Sequence, residues 1–224
     1  LLLISREIPV LRAGIYDRNN FPLAVSVKQY NLFALRNFSA EDYEVINKIA
    51  PLKKSFKQID ELGKKSLLFL NLDFYQYEEI KKLRLDSIEV EVVQKRYYPL
   101  GEQIAPLIGF AGRDGVGTDG LEKILNTQLS GVSGLEIISK NASQKSEIAS
   151  PAIPGKAYNL TIDSRVQFTT FKHLSRFVEA NNAQGGSAVV LDNHSGEILA
   201  IASYPSYNPN SPSREIQRNR ALVD

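Results

Sequence analysis

Apolar residues recur along this chain with two periods, and the places where one period gives way to the other mark the expected elements. Between Ile8 and Leu35 the pattern is that of a β-hairpin. A turn-like Asp17-Arg18-Asn19-Asn20 and Pro22 separate its arms, and Leu23, Val25 and Val27 share one face of the second. Helical spacing follows at Tyr43, Ile46 and Ile49, opened by Ser39 as N-cap with Asp42 placed to complete a capping box, and stopped by Pro51. A second helix is expected from Phe56 to Leu62, ending at Gly63. Leu67 to Leu72 reads as a strand, and Asp73 caps a helix carrying Tyr77, Ile80 and Leu83. Ser87 to Tyr98 sets Ile88, Val90 and Val92 against Glu89 and Glu91, a strand with one polar face.

The pattern then predicts a helix at Glu102 to Ile108, a glycine-dense loop from Gly109 to Gly120, and a helix at Leu121 to Leu129 closed by Gly131 and Gly134. Ser146 to Lys156 is rich in Ala, Ser, Pro and Gly, and with Pro151 and Pro154 it reads as a linker, which puts a domain boundary between residues 155 and 156. Beyond it come a short strand at Tyr158 to Ile162 and an amphipathic helix capped by Asp163 or Ser164, carrying Val166, Phe171, Leu174 and Val178 and ended by Asn181-Asn182. Ser187 to Asp192 and Glu197 to Ser203 then form a hairpin around Asn193-His194-Ser195-Gly196. Its strands are apolar on both faces, as strands inside a covered sheet are. A hairpin with one helix is marginal alone, so this second domain is expected to be incomplete. The expected fold class is α+β, with residues 1–155 a module of hairpins and short helices and 156–224 the opening of a sheet domain.

Composition narrows the chemistry. The 224 residues carry 27 Lys+Arg against 25 Asp+Glu, a formal charge of +2, so a strongly basic nucleic-acid binder is not the expectation. No apolar run approaches the roughly 18 residues of a membrane span. Cysteine is absent, which removes disulfides, thiolate metal sites and cysteine nucleophiles; two histidines, His173 and His194, give a His-rich metal site or a Ser-His-Asp triad almost no material. Methionine is absent even at position 1, so the sequence is expected to be a fragment. No cofactor-binding or metal-ligating residue is expected in it.

Three segments carry a family resemblance. Arg12-Ala13-Gly14-Ile15-Tyr16-Asp17-Arg18-Asn19 with Pro22-Leu23-Ala24 resembles the first signature of class B penicillin-binding proteins. Arg96-Tyr97-Tyr98-Pro99-Leu100-Gly101 resembles their second signature. Gly117-Thr118-Asp119-Gly120-Leu121-Glu122, with Leu129-Ser130-Gly131 and Gly134, resembles their third. One position departs: Ala13 stands between Arg12 and Gly14, where the family has glycine directly after the arginine. After the linker, Leu160-Thr161-Ile162-Asp163 with Gln167, Gly186-Ser187-Ala188-Val189-Val190, Ser195-Gly196-Glu197-Ile198-Leu199-Ala200, Pro205-Ser206-Tyr207-Asn208-Pro209-Asn210 and Arg218-Asn219-Arg220 resemble the start of the family's transpeptidase domain. The short Gly109 to Glu122 connection and the ending Asn219 to Asp224 look more like the division-specific, FtsI-like branch than the elongation-specific one.

The resemblance implies an elongated N-terminal pedestal followed by the beginning of a penicillin-sensitive serine D,D-transpeptidase. It implies a place on the periplasmic face of the bacterial inner membrane, with an upstream helical anchor. Implied partners are a glycosyltransferase of the FtsW type and small bitopic division proteins; peptidoglycan stem peptides and β-lactams are expected ligands of the parent protein alone. The acylating hydroxyl of such an enzyme needs a lysine one helical turn away, in a Ser-x-x-Lys arrangement. This sequence contains no such spacing, so the fragment is expected neither to take up penicillin nor to cross-link peptidoglycan. The other readings left open are the elongation-specific relative and a free-standing binding module.

Ser206-Tyr207-Asn208 mimics the family's catalytic Ser-x-Asn, but between prolines it reads as a structural turn. His194 reads as a solvated turn residue and His173 as a polar helix position. The sequons at Asn141 and Asn159 carry no weight without a eukaryotic secretory context. Arg12, Asp17, Arg18, Arg96 and Glu122 are the charged residues of the signatures. They admit two readings, a partner-docking surface or an internal network, and the network is the expectation because charges inside such segments are best accommodated when paired and hydrogen-bonded. Tyr98 and Pro99 belong to the same signatures, and Gly14, Gly101, Gly117 and Gly120 are expected to supply positive φ or close backbone approach.

Overall fold

The computed structural model describes residues 3–62, 65–112, 114–139, 146–212, 219 and 221. It is a mixed α+β structure. Strands β1 (Leu3–Ile8), β2 (Ile15–Tyr16) and β3 (Pro22–Ala34) are followed by α1 (Ala40–Ile49), α2 (Phe56–Asp60), β4 (Ser66–Leu72), α3 (Phe74–Lys82) and β5 (Ile88–Tyr97). A 3-10 turn at Gly101–Gln103 leads to α4 (Ala105–Ile108), α5 (Gly120–Ile124), α6 (Asn126–Ser130), β6 (Gly134–Ser139), β7 (Ser146–Ser150), β8 (Tyr158–Asn159), α7 (Ser164–Ala180), β9 (Gly186–Leu191) and β10 (Ile198–Tyr204). These elements form two compact units: Val27–Lys95 is inserted into a unit made of Leu1–Ser26 and Arg96–Asp224. Among the described residues no helix is long and apolar enough to cross a membrane.

The inserted unit follows the sequence pattern closely. Each of its helices opens with a capping box, at Ser39/Asp42, Ser55/Gln58 and Asp73/Gln76. In each, the N-cap side chain accepts from the N3 amide while the N3 side chain accepts from the N-cap amide. Two orphan donors are thereby satisfied per helix, which lets helices of five to ten residues persist. Helix α2 stops at Asp60; Gly63, expected to end it, lies outside the described residues. Strand β4 pairs antiparallel with the later part of β3, Tyr30 opposite Leu72 and Ala34 opposite Ser66. Leu32, Ile46 and Ile80 are wholly enclosed, Leu68 and Leu72 pack with them, and Tyr30 stacks on Tyr77 with ring centroids 3.9 Å apart. Ile88 and Val90 lie against this core, whereas Val92, expected to join them, is exposed.

The other unit departs further from the pattern. Strand β1 pairs antiparallel with β6, Leu3 opposite Ser139 and Ile8 opposite Gly134, and β6 pairs antiparallel with β7. Nothing in the pattern predicts this sheet: Ser146–Ser150 reads as linker and is a strand, and Gly134 reads as a helix stop and begins one. The glycine serves close approach here, since a Cβ on it would stand 2.6 Å from the Ala152 amide nitrogen. The expected hairpin at Asp17 forms, but its first arm is the two residues of β2, with Ile15 opposite Ala24 on β3 and, in parallel, opposite Tyr158 on β8. Strand β8 is likewise two residues long rather than five.

The helix expected at Glu102 to Ile108 is a 3-10 turn followed by one α turn, with Pro106 in the first turn of α4, where its missing N–H costs nothing. The helix expected at Leu121 to Leu129 is broken at Leu125 into α5 and α6. In the C-terminal part, α7 is capped by Asp163, which accepts from the amides of Arg165 and Val166, and β9 and β10 form the expected antiparallel hairpin, Val189 opposite Ile201. Strand β10 is buried along most of its length. Strand β9 is not covered on both faces as its composition suggested: Val189 and Leu191 are 48% and 58% exposed, while Gly186 approaches Leu174 and Val178 of α7. Ile15, Leu23, Ile104, Ile108, Leu129, Ile162 and Ile201 form this unit's core around Tyr98.

Because Ile46 is fully enclosed, Ile46→Ala is expected to destabilise the inserted unit by about 2–5 kcal/mol. Ser39→Ala, which removes only the cap of α1, should cost about 0.5–2 kcal/mol. Urea titration of both variants beside the parent checks the order; equal losses would mean that Ile46 is not packed as described.

Candidate functional site

The three signature segments meet at one carboxylate. Glu122 sits on α5 with no exposed surface, and its two oxygens are taken by two different arginines. Arg12 Nε donates to Glu122 Oε2 at 2.7 Å, and Arg96 Nε donates to Glu122 Oε1 at 2.7 Å; both arginine side chains are only 5% exposed. Arg12 Nη2 also donates to the Glu122 carbonyl at 2.8 Å, and its Nη1 reaches Asn126 Oδ1 and Ser130 Oγ, each at 2.8 Å. Arg96 Nη1 donates to Ser26 Oγ at 3.0 Å and to the Arg12 carbonyl at 3.2 Å, so the second arginine holds the backbone of the first. Two cations against one anion leave an excess positive charge, which carbonyls and hydroxyls solvate. Arg96 Nη2 is the exception and has no hydrogen-bond partner among the described residues.

Local structure explains why these residues arrive together. Gly117 passes so close to α5 that a Cβ on it would lie 1.9 Å from the Glu122 carbonyl oxygen, and its amide donates to Asn126 Oδ1 at 2.8 Å. Asn126 therefore serves Gly117 and Arg12 at once, and it does so where α5 gives way to α6. Gly120 has φ +55° and faces Gly109, with φ +73°; a Cβ on Gly109 would stand 1.9 Å from the Asp119 carbonyl. Only glycine permits that crossing of α4 and α5. Tyr98 is buried beside the cluster and its hydroxyl accepts from the Ala111 amide at 2.7 Å. Burial, with the Glu122 charge next to it, pushes its phenol well above the usual range and keeps it protonated. Pro99 is half-buried in the following turn, where Gly101 (φ +52°) donates to the Tyr98 carbonyl.

Asp17 and Arg18 lie outside this cluster. Asp17 is enclosed at the β2–β3 turn; Oδ1 accepts from the Asn19 and Phe21 amides and Oδ2 from the Ser164 amide at the start of α7. Burial pushes its carboxyl up, but the amides of Ser164, Phe21 and Asn19 outweigh it and hold the group below its ordinary value. Arg18 is exposed and pairs with Glu197 at 3.2 Å, a contact of little energetic weight. Gly14 is set against the Tyr16 ring, which a Cβ would meet at 2.5 Å. His173 and His194 are exposed, and no group of three or more His, Cys, Asp or Glu able to hold a metal occurs among the described residues. Ser206, the catalytic mimic, gives its hydroxyl to the Glu102 carbonyl at 2.7 Å. The Asn141 sequon lies outside the described residues. Sequence reasoning did not single out Ser26 or Asn126, and no local signal marks them, because their importance comes from what folds against them.

Residues 7–160 match the Penicillin-binding Protein dimerisation domain. The chain is 34% identical to the probable peptidoglycan D,D-transpeptidase PenA of Neisseria meningitidis serogroup A, over 98% of its own length and 41% of the relative's. It is 35% identical to the peptidoglycan D,D-transpeptidase FtsI of Escherichia coli K12, over 98% of its length and 40% of the relative's. It thus spans about two fifths of these relatives. A solved structure described as structural coordination of polymerization and crosslinking by a peptidoglycan synthase complex shares the fold. Its TM-score is 0.76 at 22% identity, covering 93% of this chain and 40% of that one.

Removing the shared anion leaves two buried guanidiniums uncompensated, so Glu122→Gln is expected to destabilise by about 3–5 kcal/mol. Arg96→Ala should lower the thermal midpoint before it changes any partner contact; intact stability with lost binding would overturn the structural assignment of Arg96. Asp17 has a depressed folded-state pKa, so its stabilisation is complete above the ordinary aspartate value of about 3.9 and is lost as pH falls below it. Asp17→Asn should therefore be less stable at neutral pH, by about 1–3 kcal/mol, and should flatten the acid limb of a stability–pH curve.

Proposed function

Since the chain belongs to the penicillin-binding protein family, matched through its dimerisation domain, we propose that it is the periplasmic pedestal of a septal D,D-transpeptidase together with the start of the catalytic domain. Residues 1–155 act as the pedestal and 156–224 open the transpeptidase fold, with the acylating serine supplied elsewhere in the longer protein. The observation that carries this reading is the Arg12–Glu122–Arg96 cluster. The charged side chains that mark the family are spent on locking three segments of one module together, and all three are 5% exposed or less. That is the arrangement of a support rather than of a catalyst.

In this role the module carries the catalytic domain away from the membrane, to which an upstream helix anchors it, and offers division partners a docking platform. A glycosyltransferase of the FtsW type and small bitopic division proteins are the proposed partners; stem peptides and β-lactams are ligands of the whole protein. The identity to FtsI and PenA over nearly the full chain supports the division role. The same fold in a peptidoglycan synthase complex supports partner docking.

Labelled penicillin separates the parts of this proposal. The full-length protein is expected to take up the label covalently at one site, and the 224-residue chain none. A covalent adduct on the 224-residue chain would overturn the support role. A tagged full-length protein should gather at midcell; distribution along the side wall would assign it to elongation instead.

A further inference from the structure

The segment that follows β10 is sewn to the second and third signatures by side chains standing in for backbone. Asn210 pairs with Tyr98 at both main-chain groups: the Tyr98 amide donates to Oδ1 and Nδ2 donates to the Tyr98 carbonyl, each at 3.0 Å. This reproduces the paired donor and acceptor of one step in an antiparallel ladder, just where β5 ends. Tyr207 is nearly enclosed. Its hydroxyl lies between the Ala105 carbonyl at 3.1 Å and Asp119 Oδ2 at 3.3 Å, and its ring meets Phe110 edge-on. Ser206 adds the bond to Glu102. Upstream, Gln167 of α7 repeats the device on β10. It accepts from the Ile201 amide at 2.8 Å, donates to the Ile201 carbonyl at 2.9 Å, and also donates to the Gln103 carbonyl.

These contacts share one logic. Apart from the two Gln167–Ile201 bonds, they fall on the stretch from Tyr98 to Asp119, which connects the second signature to the third, and the bonds from Ser206, Tyr207 and Asn210 join it to the residues directly after β10. Gln167 joins the same stretch to the middle of β10. A buried or half-buried polar group left without its partner costs more than the bond contributes when made, so the set favours one arrangement of β10 against the signature segment over any slipped one.

We propose that Ser206–Asn210 is a latch that sets the position of β10 from the signature module, making Tyr207 and Asn210 positioning residues for the acyl transfer. This rests on the reading that residues 156–224 open the transpeptidase domain. The part of the sequence that imitates a catalytic motif thus acts on the reaction from outside the reacting atoms, by fixing the sheet on which the catalytic domain is built.

The test uses full-length protein carrying Tyr207→Phe, which removes the hydroxyl and keeps the ring, or Asn210→Asp, which keeps the shape and puts an acceptor opposite the Tyr98 carbonyl. A fluorescent penicillin gives two numbers for each variant, the second-order acylation rate constant and the final stoichiometry. The latch requires the rate constant to fall about three- to tenfold with the stoichiometry unchanged. A lower stoichiometry at an unchanged rate constant would show only a misfolded fraction and overturn the proposal, as would two variants indistinguishable from the parent. Failure of the unmutated full-length protein to take any label would instead overturn the transpeptidase reading, and the latch with it.

Discussion

The structure turns on a single buried carboxylate. Taking Glu122 and two arginines out of water is expensive, and their mutual attraction offsets that cost only if the geometry is tight and the remaining N–H groups find acceptors. Everything around the cluster serves those two conditions. The Glu122 carbonyl occupies the place a side chain on Gly117 would take, and Asn126, at the first position of α6, receives both an amide and a guanidinium. Such a cluster contributes less to net stability than an apolar core of the same volume would. What it does in the fold is tie together segments more than a hundred residues apart in sequence.

The second theme is the use of side-chain amides as pieces of strand. Asn210 on Tyr98 and Gln167 on Ile201 each present a donor and an acceptor side by side, as a peptide unit does. Each therefore ends or borders a strand with a side chain in the place of a neighbouring backbone, Gln167 doing so at a residue of β10 that also faces Val189 of β9. The substitution is selective for chemistry as well as shape, because no carboxylate or hydroxyl of similar size offers the same pair of groups.

How far the sequence spoke depended on how local the signal was. The starts of α1 and α3 were legible because Ser39 and Asp73 read as caps, and α2 was placed by its apolar spacing, its Ser55–Gln58 capping box having passed unread. The β1–β6–β7 sheet was not, since Leu3–Ile8 finds its partner at Gly134–Ser139 and neither stretch is bounded by turn residues that point to the other. The break at Leu125 escaped for a related reason. Helical periodicity continues through it, and the break shows only in the backbone of Leu125, at φ −94° and ψ 14°. Among the candidate residues, Arg12, Arg96 and Glu122 could be singled out by motif, but that they share one carboxylate while Asp17 caps α7 elsewhere is information only the fold contains.

The position of the cluster in the chain has a consequence of its own. The inserted unit departs after Ser26 and returns at Arg96, and those two residues are bonded directly, Arg96 Nη1 to Ser26 Oγ at 3.0 Å. Topologically, sixty-odd residues hang as one oversized loop whose neck is fastened from the side of the host. The loop is closed twice over, by that bond and by the pairing of β5 with β3, the strands that leave and re-enter the host, so cutting the side-chain bond alone would not open the neck.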